Sequence, residues 1–171
     1  MHKEIISIIG AGGKTTLIHG LADEYRKQNK RVLICTTTRM FREPETDISC
    51  NASQIIARME HQGICMAGKV DPENQSKIVG IPEEIRKLVM NHADVTLIEA
   101  DGSKHLPVKY PGDHEPVICQ DTTKIILVMG LWALGEPIKR TVFRYEEMIQ
   151  RFGWRAEDAL TFEMLNVIIR D

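Results

Sequence analysis

The sequence lacks any apolar run long enough to cross a membrane, which would need about 20 consecutive apolar residues. A signal peptide is also missing, because Met1 leads almost directly into a first predicted strand with no apolar h-region or cleavage site. We therefore expect a cytoplasmic protein that has no membrane partner.

Strong charge and paired cysteines are absent as well. The net charge is -2 and no face-long basic run occurs, so nucleic acid is not an expected partner. The four cysteines form no C-x-x-C pair, which argues against a zinc site or a disulfide framework. We expect reduced thiols in or near the core at Cys35, Cys50, Cys65 and Cys119.

The chain does contain a β-branched run that is followed directly by glycines, a lysine and two threonines. Glycines let backbone N–H groups approach an anion, and the helix that follows points its positive dipole end at the same place. The lysine would reach the terminal phosphates, and the first threonine would bind a phosphate-bound Mg²⁺. The predicted phosphate loop consists of Gly10, Ala11, Gly12, Gly13, Lys14, Thr15 and Thr16.

The loop departs from the usual phosphate-loop pattern, which places glycine where this chain has Ile8. Its shorter spacing, with glycine at 10 and 13, looks like the loop of the ATP-dependent Mur ligases. The alternative is a glycine-rich turn that binds nothing.

The periodicity of the chain predicts the fold class. A helix over 14–28 and an apolar strand over 32–35 follow the first strand, and such a unit is parallel and right-handed. We expect an α/β fold with three α/β/α layers and a mostly parallel sheet, of the phosphate-loop NTPase type. With 171 residues, 43% of them hydrophobic, the chain should form a single nucleotide-binding domain over 1–171.

The same reading assigns the remaining segments. Polar composition predicts loops over 40–51 and 68–80. The apolar run at 124–130 predicts another central strand. Further strands are expected at 64–67 and 95–99, and further helices at 53–60, from Pro82 onward, at 145–152 and at 161–169 with Thr161 as cap.

Hydroxyls and a guanidinium follow the second strand, at the sheet edge where α/β proteins bind ligands. We expect Thr37 to serve a metal ion and Arg39 to stabilise charge on a phosphate. Alternatively the threonines at 36–38 simply continue the strand, and Arg39 is a surface cation.

A hydrophobic strand at 95–99 ends in Glu99, and Asp101 follows two residues later. In phosphate-loop proteins an acid at a strand end holds Mg²⁺ opposite the loop threonine. We assign Glu99 to the metal with Thr15, and Asp101 to orienting a water or acceptor. The alternative is a turn at Asp101-Gly102 and a surface acid at Glu99.

A proline-rich loop over 104–116 carries acidic and basic groups. Lys104 and Lys109 suit an anionic substrate, and His114 or Glu115 suits proton transfer. The alternatives are a metal site built from His105, Asp113, His114 and Glu115, or a solvated loop without chemistry.

Together these motifs resemble the YqeC-type proteins, a family associated with selenium-dependent molybdenum hydroxylases. The resemblance rests on Gly-Ala-Gly-Gly-Lys-Thr-Thr at 10–16, Thr-Thr-Thr-Arg-Met at 36–40, Glu-Ala-Asp-Gly-Ser at 99–103 and His-Glu-Pro at 114–116. It implies a nucleotide-dependent accessory step in cofactor maturation, with the hydroxylase or its cofactor as partner. At Trp132 the family more often has an acid, and related proteins continue beyond Asp171, so we expect a chain truncated at its C-terminus.

Three functions are consistent with these observations. The first is a Mg²⁺-dependent ATP or GTP hydrolase that drives maturation of a molybdenum hydroxylase cofactor. The second is a kinase or acyl-phosphate-forming ligase acting on a small acid. The third is a nucleotide-gated adaptor whose hydrolysis is too slow to matter.

Overall fold

A computed structural model of the chain describes residues 3–171. Within that range the strands are β1 (Glu4–Gly10), β2 (Val32–Thr36), β3 (Arg39–Phe41), β4 (Ile64–Met66), β5 (Lys69–Asp71), β6 (Asn74–Val79), β7 (Val95–Glu99), β8 (Val108–Lys109), β9 (Lys124–Val128) and β10 (Val142–Phe143). The helices are α1 (Lys14–Lys27), α2 (Ala52–Gln62), α3 (Glu83–Met90), α4 (Ile138–Thr141), α5 (Tyr145–Phe152) and α6 (Phe162–Arg170), with a short 3-10 helix at Leu131–Ala133.

Five strands form the central sheet in the order β4-β2-β7-β1-β9, and every pair of neighbours is parallel. The β-branched and aliphatic strands β2 and β7 are buried along their whole length. Helix α1 packs on one face of the sheet, whereas α2 and α3 pack on the other. The predicted α/β fold with a mostly parallel sheet and helices on both faces is confirmed.

The helix ends lie within two residues of the predicted ones, and local signals mark them. The Asn51 side chain accepts a hydrogen bond of 3.2 Å from the Gln54 N–H at the start of α2, and Gly63 ends that helix with φ 78°. Thr161 caps α6 in the same way, through the Met164 N–H at 3.2 Å. Between residues 3 and 171 we find no helix that is both long and apolar enough to span a membrane.

A second sheet occupies the segments predicted as loops. Strands β3, β6 and β5 pair antiparallel, so the loop predictions for 40–51 and 68–80 are wrong in part. Most of β6 faces solvent, with Ile78 as its fully buried side chain. A half-exposed antiparallel strand has a polar composition that resembles that of a loop. For this reason the sequence pattern does not predict β6 as a strand.

The strand predicted at 124–130 is present as β9, but it lies at the edge of the central sheet, outside β1, so its predicted central position is wrong. Ile125 and Leu127 are 51% and 41% exposed. The continuous apolar run suggests burial on both faces, whereas in the structure only the face carrying Ile126 and Val128 packs against α1 and its neighbours.

A third apolar cluster lies outside the central sheet. Helices α4 to α6 pack against the two-stranded pair β8 and β10 around Ile138, Met148 and Leu165. This cluster anchors Lys109 at the end of β8 and Phe143 at the end of β10. It therefore fixes part of the predicted loop over 104–116 beside the carboxyl edge of the sheet.

Candidate functional site

A cavity of about 840 Å³ opens at the carboxyl edge of the central sheet. The glycine loop and the start of α1 form one wall, through residues 12–16. Residues 38–41 with Lys77 and Val79 of the small sheet form another wall. Its volume lies within the range of small-molecule sites.

The glycine loop adopts a conformation that other residues resist. Gly10, Gly12 and Gly13 have φ of 88°, 73° and 123°. A Cβ on Gly12 would lie 2.5 Å from the Gly130 nitrogen, whereas one on Gly13 would meet nothing within 4 Å. Gly13 therefore exposes backbone to open space inside the cavity, directly before the first turn of α1.

Two members of the predicted phosphate loop lie beneath the cavity wall. The Gly10 N–H donates to Asp101 Oδ2 at 3.1 Å, and the Ala11 N–H donates to the Val128 carbonyl at 2.8 Å. These N–H groups are engaged within the protein. The structure thus brings Gly12, Gly13, Lys14, Thr15 and Thr16 to the cavity surface, with Gly10 and Ala11 as their support.

Lys14 is buried although it lines the cavity. Its ammonium donates to the Gly10 carbonyl at 2.7 Å and lies 3.4 Å from Asp101 Oδ1. Only 5% of the Lys14 side chain is exposed. Asp101 partly balances the Lys14 charge, and burial reduces the solvent screening of the field that remains for an incoming anion.

Thr15 and Glu99 meet across the cavity floor, as the sequence predicts for a metal pair. The Thr15 hydroxyl donates to Glu99 Oε2 at 3.3 Å. Burial raises the pKa of Glu99, while nearby Lys14 and the Thr15 hydrogen bond act in the opposite direction. The exposed Thr15 hydroxyl and the buried Glu99 carboxylate are the hard oxygen ligands that Mg²⁺ prefers.

The other expected metal ligand lies elsewhere. The Thr37 hydroxyl donates to the Val117 carbonyl at 2.6 Å, and Thr37 is not among the cavity-lining residues. Its neighbour Thr36 donates to the Glu99 carbonyl at 2.8 Å and so fixes the strand end that carries the acid. Over residues 3–171, no cluster of three His, Cys, Asp or Glu side chains is placed to hold a metal without added ligands.

Asp101 lies at the centre of a buried ionic network. Its carboxylate reaches Lys14 on one side, and its Oδ2 lies 3.5 Å from the ammonium of Lys109. Lys109 continues to Glu115 at 2.5 Å, and Arg144 approaches the same Glu115 oxygen at 2.6 Å. The network therefore links the glycine loop to the cluster of α4 to α6.

The network alters the electrostatics of Glu115. Burial alone would raise the pKa of Glu115, but hydrogen bonds from Lys109 and Arg144 outweigh it and hold that pKa below its usual range. Lys109, which the sequence suggests for binding an anionic substrate, is only 1% exposed and is committed to these acids.

The remaining predicted catalytic residues have different surroundings. Arg39 lines the cavity but pairs with Asp71 at 3.0 Å and Glu73 at 2.7 Å on the small sheet. His114 is exposed and does not line the cavity, whereas the adjacent Glu115 does. The catalytic roles of Lys14, Asp101, Arg39 and His114 stay predictions.

Several cavity residues have no signal in the sequence. Phe41 and Lys77 arrive through the unpredicted small sheet, with the Lys77 ammonium 4.9 Å from the Phe41 ring centroid. His105 lies against the same ring at 5.5 Å between centroids. Trp132 enters from the segment after β9 and Phe143 from the end of β10, which only the tertiary fold brings together.

Comparison with known proteins gives one family. The family model described as YqeC protein matches residues 6–146. The "Uncharacterized protein YqeC" of Escherichia coli is 35% identical over 173 residues, which cover 97% of this chain and 67% of that protein. No solved structure matches significantly.

Proposed function

This chain belongs to the YqeC family, and from its cavity we propose that it binds a nucleoside triphosphate, ATP or GTP, with Mg²⁺ and hydrolyses it. One observation carries the proposal. The helix α1 begins inside the cavity behind Gly13, where the backbone faces open space next to the buried ammonium of Lys14. Free N–H groups, a helix N-terminus and a desolvated cation form a site for polyphosphate.

The metal would be held by Thr15 and Glu99, whose oxygens already meet in the cavity. A bound Mg²⁺ supplies charge neutralisation between the outer phosphates of the nucleotide. It would also favour the ionised form of Glu99, the form that burial disfavours.

The remaining roles in the proposed reaction belong to protein side chains. Lys14 binds the terminal phosphates, and Asp101 positions both Lys14 and the Gly10 N–H through its two oxygens. Asp101 is also the proposed orienting group for water. Arg39 would stabilise developing charge after releasing its acidic partners, and His114 would require a shift of its exposed loop to reach the reaction.

The process that this activity serves follows from the family resemblance of the motifs. Hydrolysis would drive an accessory step in maturing the cofactor of a selenium-dependent molybdenum hydroxylase, with that enzyme or its cofactor as partner. A nucleotide-gated adaptor at the same site would instead couple partner binding to nucleotide occupancy, without needing turnover.

A transfer reaction is the second candidate, and a specific observation favours it. Within residues 3–171, Lys77 and Lys104 line the cavity without an ion-pair partner inside 4 Å. Two cations beyond the phosphate loop would suit an anionic acceptor, as in a kinase or an acyl-phosphate-forming ligase. Such an enzyme would hydrolyse nucleotide slowly until the acceptor is added.

The proposal is tested by a thermal-shift screen of ATP, GTP, CTP and their diphosphates with and without Mg²⁺. A ligand that binds only the folded state raises the melting temperature by mass action. We expect ATP or GTP with Mg²⁺ to give the largest shift and Lys14→Ala to abolish it. Equal shifts for wild type and Lys14→Ala would overturn the assignment of the phosphate loop.

A further inference from the structure

Trp132 combines large exposure with a fixed position beside the glycine loop. Its side chain is 66% exposed and lines the cavity. The short 3-10 helix that carries it begins directly after Gly130. An exposed indole at a cavity wall offers an apolar ring face for a planar ligand.

The backbone around Trp132 is packed against the phosphate loop. Gly12 and Gly130 approach so closely that a Cβ on Gly12 would lie 2.6 Å from the Gly130 Cα. The Gly130 N–H also donates to the Pro107 carbonyl at 2.7 Å. A Cβ added at Gly130 would lie 3.1 Å from the indole nitrogen of Trp132. The backbone that carries the indole is thus held at a fixed offset from the loop, which lowers the entropic cost of binding.

The sheet order separates Trp132 from the metal residues. Strand β1 leads into the loop, β7 with Glu99 lies on one side of it, and β9 lies on the other side. A Mg²⁺ held by Thr15 and Glu99 would neutralise the outer phosphates, so these two residues would mark the γ-phosphate end of the ligand. The opposite end of a nucleotide is its nucleoside, which a phosphate chain crossing the loop would place on the β9 side, beside Trp132.

We infer that Trp132 is the nucleobase platform of the site, so that its indole stacks on the base of the bound nucleotide. This inference rests on the proposed function, because it requires the phosphates to occupy the glycine loop. Base–aromatic stacking is sequence-tolerant and contributes a measurable share of affinity. With ATP or GTP as the proposed ligand, the base would be bound through stacking and the phosphates would supply the remaining affinity.

The test separates the base from the phosphates by using inorganic tripolyphosphate as a ligand without a base. We expect Trp132→Ala to weaken Mg²⁺-ATP or Mg²⁺-GTP binding about tenfold or more and to leave Mg²⁺-tripolyphosphate binding unchanged. Trp132→Phe should restore most of the nucleotide affinity. Leu131→Ala, at an exposed neighbour outside the cavity lining, is the matched control and should change neither ligand.

Fluorescence gives an independent readout. The chain has two tryptophans, so Trp154→Phe leaves Trp132 as the sole emitter. Nucleotide should quench the fluorescence of Trp132, and tripolyphosphate should leave it unchanged. An unchanged ratio of nucleotide to tripolyphosphate affinity in Trp132→Ala would overturn the inference and favour the exposed turn as a protein contact. Failure of wild type to bind either ligand would overturn the proposed function as well.

Discussion

Lys14 and Asp101 form an ion pair of 3.4 Å in which each side chain is only 5% exposed. The same carboxylate accepts from the Gly10 N–H at 3.1 Å, so one acid holds both the lysine and the backbone of the glycine loop. An incoming phosphate would therefore meet a loop that is already ordered and a lysine whose charge is partly balanced. Asp101 is placed to influence the reaction through Lys14.

The two carboxylates should have separable effects. Asp101→Asn should reduce hydrolysis by about tenfold or more with little change in nucleotide affinity, because the amide cannot orient water as the carboxylate does but can still accept from the Gly10 N–H. Glu99→Gln should weaken Mg²⁺-dependent binding as well as hydrolysis, since it removes charge from the metal side. Calorimetric affinity and steady-state rates measured for both variants decide this, and reversed effects would exchange the two roles.

Lys109→Met should destabilise the fold strongly. The Lys109 side chain is 1% exposed and neutralises Asp101 and Glu115 together. Removing one partner of a buried ionic network costs about 3–5 kcal/mol. Urea unfolding should show this loss, whereas Lys87→Met, which breaks an exposed pair with Glu83 on α3, should cost far less. Similar losses in the two variants would refute a structural role for the network.

The raised pKa of Glu99 predicts a pH dependence of stability without ligand. Above the ordinary value of 4.5, the unfolded chain loses the Glu99 proton before the folded chain does, so this group lowers stability as pH rises. Glu99→Gln should therefore be more stable than wild type near neutral pH, and the difference should fade on acidification toward pH 4.5. A stability gain that grows on acidification would contradict the buried, disfavoured carboxylate.

Gly13 and Gly153 provide a matched pair of backbone positions. Both have positive φ, 123° and 71°, and a Cβ on either would meet nothing within 4 Å. An alanine at each should cost about 1–3 kcal/mol in backbone strain. Only Gly13→Ala should also weaken nucleotide binding, because its methyl group enters the cavity. Equal nucleotide affinity in the two variants would place the phosphates away from Gly13.

The parallel core is predictable because helix α1 repeats its apolar residues at helical spacing, and strand β2 is the continuous apolar run expected of a strand covered on both faces. The glycine loop is equally clear, because positive φ and close backbone approach leave few residues acceptable at Gly12. Glu99 can be predicted as a site residue because it ends strand β7. Strand β7 pairs with β1, so this end lies beside the glycine loop.

The rest of the site depends on long-range packing that local patterns do not contain. Lys77 belongs to a polar strand whose pairing partners are distant in sequence. Lys109 has the composition of a loop cation, and only the packing of α4 to α6 buries it. Strand β9 differs in the opposite direction. Its apolar run predicts burial on both faces, but at the edge of the sheet its side chains are partly exposed.

The central claim is that the loop over 12–16 binds the phosphates of a nucleotide through Lys14. The most direct test is titration calorimetry of Mg²⁺-ATP and Mg²⁺-GTP with wild type, Lys14→Ala and Lys27→Ala. Lys27 lies on the same helix but pairs with Glu24 in solvent, so it controls for loss of charge on α1. The account predicts that Lys14→Ala loses at least about tenfold in affinity while Lys27→Ala matches wild type. Equal affinity for all three proteins would contradict it.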